Sequence, residues 1–211
     1  MTDVYGSYEK IERRSRLFQV GVEALQKGGW TVERVQGSGK ASVRKITKAG
    51  KSQLVSIRTT QDTWIAFPRT KDDKDWVTLS EVDSVVAVSL DDARDPKFVK
   101  VHMVDGREML DRFNRAYAAR VKAGHRIPAG RGVWVSLYIK ESNHPRYVGA
   151  GAGLKYPPIA TVPLDPKARL EVEEKAASGD DEAPLTIAEA KRRLALSLGV
   201  NPGSIKITVE A

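Results

Sequence analysis

Apolar residues change their spacing along this chain, and each change marks an element. From Ser7 to Lys27, Ile11, Phe18, Val22 and Leu25 recur at helical spacing with Leu17 and Val20 beside them, and Gly28 and Gly29 end the run. This predicts a first amphipathic helix, with Arg13, Arg14 and Arg16 in its early turns and Glu9 and Glu12 moderating them. The period then shortens to two. Trp30–Gln36, Ala41–Lys48, Ser52–Thr59 and Thr63–Phe67 read as strands, separated by GSG at 37–39 and by Ala49 and Gly50. The middle pair is expected to form a hairpin.

Pro68 and a polar run to Asp75 form a loop, followed by a strand at Val85–Leu90 that is apolar enough to be buried on both faces. Another strand follows at Phe98–Val104. Asp105 and Gly106 turn the chain into a helix over 107–123, in which Leu110, Phe113, Tyr117 and Val121 form the core stripe and Arg112, Arg115 and Lys122 are placed on the other side. Val133–Tyr138 predicts a further strand, and the glycine-rich YVGAGAGLKYPP at 147–158 reads as a boundary. The organisation expected is a mixed α/β core domain over 1–145, a linker over 146–183 and a small C-terminal helix-turn-strand unit over 184–211. In that unit, Thr186 and Glu189 make a capping box for the helix 187–199, and Ile205, Ile207 and Val209 alternate in a strand.

Composition narrows the function. The 211 residues contain no cysteine, which excludes disulfides, thiolate metal sites and cysteine nucleophiles. No stretch approaches the ~18 apolar residues of a membrane span, and the N-terminus has no apolar signal region. A cytoplasmic protein without a membrane partner is therefore expected. Net charge is +8, but it is unevenly spread: residues 1–60 carry +7, 61–100 carry −3, 101–160 carry +6 and 161–211 carry −2. Two basic blocks of this kind favour a polyanionic partner.

The first block contains the sharpest feature. Between Glu33 and Asp62 lie 28 residues with seven bases and no acid. On the predicted hairpin, Arg44, Lys45, Lys48, Lys51 and Arg58 accompany Gln53, Ser56, Thr59 and Thr60, all residue types that contact phosphates by charge or hydrogen bond. Lys48 and Lys51 also suit a second role, since lysines at hairpin tips deter edge-to-edge aggregation. Arg58 lies mid-strand among apolar neighbours, so if buried it needs a phosphate or a core carboxylate such as Asp83. Arg112, Arg115 and Lys122 extend the candidate interface, with Arg126, Arg131 and Arg146 in the same block.

The order helix, strands, hairpin, helix, strand over 7–138, with VSIRTTQDTWIAFPR in its middle, resembles the PD-(D/E)XK restriction-endonuclease-like superfamily. That resemblance implies a central mixed sheet flanked by helices and a strand carrying an acid, a spacer and a lysine, with acids holding Mg²⁺. By that pattern Ser56 occupies the acid position, Ile57 the spacer and Arg58 the lysine position, while the preceding strand offers Arg44 and Lys45. The metal-binding half is unmatched, because magnesium takes oxygen ligands and the acid-free run supplies no carboxylate.

The function expected is sequence-tolerant binding of nucleic acid, duplex DNA foremost, by a catalytically degenerate nuclease-like accessory domain without cofactor or metal. Two alternatives remain: a protein-interaction component docking through the C-terminal unit, and an Mg²⁺-dependent nuclease assembled from acids such as Glu33, Asp62 and Asp83; a protein partner or a homodimer is open in either case. Stacking of single-stranded bases requires aromatics on the same face as the arginines. The spacing of Trp30, Trp64, Trp76 and Trp134 fits strand-end core residues, with Trp64 the candidate exception. GSGKA at 37–41 and GAGAG at 149–153 lack the spacing of phosphate- and dinucleotide-binding loops. His102, His125 and His144 show no ligand spacing.

Overall fold

The apolar stripe of the N-terminal helix needs a sheet face to cover it, and the strand patterns supply one. The computed structural model describes residues 8–37, 41–128, 130–164, 191 and 202–206. Helix α1 is Tyr8–Lys27, followed by strands β1 (Thr31–Arg34), β2 (Val43–Lys48), β3 (Lys51–Thr60) and β4 (Trp64–Pro68). Then come β5 (Ser84–Leu90), β6 (Phe98–Asp105), α2 (Gly106–Lys122), β7 (Gly132–Ser136), the short α3 (Ala152–Lys155) and β8 (Pro158–Pro163). Six strands form one sheet in the order β1-β2-β3-β5-β6-β8, while β4 and β7 pair as a separate ribbon. Neighbours run antiparallel except β3 and β5, which are parallel. The fold is therefore mixed α+β, a central mixed sheet flanked by helices.

Both faces of the sheet are covered. On one, α1 sets Leu17, Val20 and Leu25 against Ile46, Val55, Ile57, Val86 and Val88. Gly21 permits this close approach, since a Cβ there would lie 2.7 Å from Val88 Cγ2. On the other face, the ribbon and α2 contribute Phe67, Val133, Val135, Met109 and Phe113 to a core with Val85, Ala87 and Val104. Strand β5 is consequently buried at every position, which is why its sequence does not alternate.

The sheet extends beyond the expected boundary at 145. Strand β8 pairs with the far side of β6, from Phe98↔Pro163 to Val101↔Ala160, so residues expected in a linker form the sheet's edge. Prolines at both ends of β8 suit an edge strand. The glycine-rich stretch before it is a close-packed turn: Gly149 has φ +80°, and a Cβ on it would fall 2.3 Å from the carbonyl oxygen of Arg112. The chain divides into two units, Met1–Arg169 and Leu170–Ala211. In the second, Lys191 is helical and Pro202–Ser204 form a 3-10 turn. The rest of the expected C-terminal helix and strand lies outside the described residues.

A buried polar chain fixes the end of β7 to the sheet. His102 is 1% exposed. Its Nδ1 lies 2.7 Å from the Tyr156 carbonyl, which can only accept, so Nδ1 carries the proton and Nε2 accepts from the Tyr138 hydroxyl at 2.9 Å. Ser89 Oγ then donates to the Tyr138 oxygen at 2.5 Å. Burial, aided by Lys100 and opposed by the Tyr156 carbonyl, holds the His102 pKa below its ordinary value. Below about pH 6.5 the unfolded chain binds a proton here that the folded chain refuses, so this contribution is complete above that pH and is lost as pH falls. Urea unfolding should accordingly show stability declining from pH 7 to 5. His102→Gln should flatten that decline whatever its absolute stability; an unchanged slope would assign the decline to other groups.

Candidate nucleic-acid interface

Strand β3 outruns β2. The pairing of the two ends at Val43↔Ser56, the Ile57 amide donates to the Ser42 carbonyl at 2.8 Å, and β3 continues beside β5 as far as Thr60↔Ser89. Where β2 stops, a groove of about 750 Å³ opens between the early turns of α1 and the outer face of the ribbon. Arg14 and Phe18 enter it from α1, Arg44 from the start of β2 and Arg58 from β3, with Trp64 and Trp134 on the ribbon side. Among the described residues no carboxylate lines this groove.

Arg58 is the deepest of the three cations. Its guanidinium stacks 4.1 Å above the Phe67 ring centroid, and Nη2 donates to Thr78 Oγ1 at 2.5 Å. Thr78 holds φ +68°, a left-handed conformation that costs a β-branched residue about 1–3 kcal/mol. Nε is buried without a hydrogen-bond partner, and no ion pair compensates the charge among the described residues. Burial, with Arg14 adding repulsion, brings the pKa of Arg58 down to about 10, so it stays charged at neutral pH. Asp83, considered above as a partner, instead accepts from the Leu54 amide at 2.8 Å near the other end of β3.

Arg44 is also held by neutral groups. Its guanidinium lies 4.7 Å from the Phe18 ring centroid and donates to the carbonyls of Ala41 and Val43 at 3.0 and 2.7 Å. Burial and the nearby Arg34 lower its pKa. Both guanidiniums are thus oriented without being neutralised.

The ribbon supplies the aromatic wall by strand parity. Ile65, Phe67, Val133 and Val135 point into the core, so Trp64, Ala66 and Trp134 face outward, with Ala66 opposite Trp134 and Trp64 opposite Ser136. Trp134 is 53% exposed, which corrects its expected place in the core. Trp64 is more enclosed: the Arg146 guanidinium lies 5.3 Å from its ring centroid and Tyr147 packs at 6.4 Å. Trp134 borders two further depressions, one lined by Arg120 and Arg146 and the other by Arg14 and Thr59. Asp62 lines both, but it caps its own turn, accepting from Thr60 Oγ1 at 2.7 Å and the Trp64 amide at 3.2 Å. Arg120 Nη2 donates to the carbonyls of Trp134 (2.7 Å) and Arg146 (3.2 Å), fixing the backbone beneath the exposed indole.

The other candidate bases have different positions. Lys45 pairs with Glu33 at 3.8 Å, both half exposed. Lys48 donates to the Gly28 carbonyl at 2.7 Å, a cation at the C-terminal end of α1 where the helix dipole favours it, and lies beside Trp30. Lys51 is exposed, opposite Lys48 at the hairpin end. Arg112 is corrected from interface to core: it is 6% exposed, with Nε on Glu108 at 2.9 Å and Nη1 on the carbonyls of Gly149 and Ala150. Four residues of helix turn through about 400°, so Arg112 lies only about 40° from Ala116 and falls within the buried stripe. Arg115 is paired with Asp111 and Glu141. Lys122 is exposed in the last turn of α2, outside the groove. The residue of α2 that lines a depression beside Trp134 is Arg120.

No group of three or more metal-ligating side chains is present among the described residues. Asp62 lies beyond one end of β3 and Asp83 beside the other, roughly 20 Å of strand apart. Glu33 is engaged by Lys45. Among the described residues, no helix is long and apolar enough to cross a membrane.

Arg58 and Arg112 should respond oppositely to loss of charge. Arg58→Met keeps the stem over Phe67 and removes a part-buried charge with no ion-pair partner among the described residues, so urea unfolding should show a gain of about 1 kcal/mol. Arg112→Met leaves Glu108 and two carbonyls without their donor and should cost about 2–4 kcal/mol. A loss of stability in Arg58→Met would show that its charge is compensated.

Set against family models, curated proteins and solved structures, the chain matches none of them.

Proposed function

We propose that this protein binds nucleic acid without sequence preference, holding the phosphate backbone in the groove between α1 and the β4–β7 ribbon. The observation that carries this reading is Arg58, a partly desolvated guanidinium with a buried, unpartnered Nε that opens with Arg14 and Arg44 into a groove lined, among the described residues, by no carboxylate. A phosphate there would supply the missing counter-charge and an acceptor for its donors. The neutral anchoring of Arg44 and Arg58 supports the same conclusion, since both keep their net charge available. Contacts to phosphate alone position a strand without specifying its sequence.

In this reading the domain is a restriction-endonuclease-like frame that has kept its phosphate-holding position and lost its metal. Arg58 stands at the lysine position. Ser56, at the acid position, is fully buried and lies 3.5 Å from Ser42 Oγ. The separation of Asp62 from Asp83 gives no support to a nuclease built from those acids. An accessory role in a larger nucleic-acid-processing assembly follows naturally from binding without cleavage.

Binding should weaken steeply with salt. If the groove neutralises three to five phosphates, log K against log[salt] should fall with a slope of about −2 to −4. Fluorescence anisotropy with labelled oligonucleotides between ~50 and ~200 mM salt measures this slope. Arg14→Ala and Arg44→Ala should each reduce it by about 1, whereas Lys51→Ala, away from the groove, should leave it nearly unchanged. Absence of binding at the lowest salt, or affinity indifferent to salt, would reject the proposal.

A further inference from the structure

An exposed indole at the meeting point of two basic depressions asks for a ligand that is both anionic and flat. Trp134 is 53% exposed, and its outward direction is enforced by the burial of Val133 and Val135 on either side. Its backbone is held by Arg120. No ring or cation contact covers its face among the described residues, in contrast to Trp64 beneath Arg146. Arg14, Arg44 and Arg58 line the groove on one side of it, and Arg120 and Arg146 outnumber Asp62, whose carboxylate caps its own turn, in the depression on the other.

We propose that the ligand of this surface is single-stranded nucleic acid, with the strand crossing Trp134 and one unpaired base stacking on its indole. The inference rests on the nucleic-acid reading above and specifies its substrate class. In a duplex, the base faces are stacked on their neighbours, and offering one to a side chain costs a few kcal/mol of unstacking. A single strand presents its base faces freely, and stacking on an aromatic residue is indifferent to base identity. A strand laid across Trp134 would place phosphates over arginines on both sides while one base covers the indole. Phe18 and Trp64 line the same groove as the arginines, which meets the requirement that aromatics and cations share a face.

The test compares oligo-dT and oligo-U single strands of ~12 nucleotides with a mixed-sequence DNA duplex of the same length, by anisotropy at low salt. Wild type should bind the single strands at least about tenfold more tightly than the duplex, with intrinsic tryptophan fluorescence quenched on binding. Trp134→Ala should weaken single-strand binding by about ten- to a hundredfold and remove most of the quenching, with the salt slope unchanged. Trp134→Phe should recover most of the loss. Because Trp134 lies on the surface, its substitution should leave the far-ultraviolet circular dichroism spectrum and the urea midpoint close to wild type. Equal binding of duplex and single strand, or full affinity in Trp134→Ala, would overturn this inference and leave the nucleic-acid reading standing. Binding to neither would overturn both. Preference between oligo-dT and oligo-U distinguishes DNA from RNA as the source of the strand.

Discussion

The first unit of this chain is arranged around a strand that cannot be left uncovered. β5 is apolar on both faces and buried at every position, so the sheet must carry a layer on each side. Helix α1 provides one layer; α2 and the β4–β7 ribbon provide the other. The area removed from water on the two faces is the dominant favourable contribution to folding. The groove lies where this double coverage runs out, at the end of β3 that β2 does not reach. Its position is therefore a by-product of how the core is closed.

Charge is distributed by the same rule. Arg112 and Arg115, each paired with a carboxylate one turn back in α2, fasten that helix to the turns around it through the Gly149 and Ala150 carbonyls and Glu141. In the groove, Arg44 and Arg58 are fastened by carbonyls, a hydroxyl and aromatic faces, which orient a guanidinium without cancelling it. Surface ion pairs such as Lys45 with Glu33 contribute little to stability, so the contrast is one of availability rather than of energy.

Much of the fold was legible in the hydrophobic pattern. The helices α1 and α2 and strands β1 to β7 fall within two residues of their expected bounds, because period-two and helical spacing are direct consequences of which face is buried. Strand β8 was not legible, since prolines at its ends and the glycine run before it imitate a linker. The acid-free run drew attention to Arg44 and Arg58, and both line the groove. Arg112 misled because a position about 40° from the core stripe can be either wet or dry, and only the carbonyls of Gly149 and Ala150 decide it. Trp134 had a usable signal in the alternation of GVWVS, obscured by the general preference of tryptophan for interiors. Arg120 had none, because its importance depends on β7 passing alongside α2.

The ribbon that displays Trp134 is held in register by its own short ladder, and side chains alternate along it without slack. Loss of a single residue between Gly132 and Ser136 would exchange the two faces, turning an indole into the core and a valine to the outside. In the loops around it, length is free to vary while the surface stays the same. Across divergent descendants of this chain, the spacing within the ribbon should therefore be inherited more strictly than its composition.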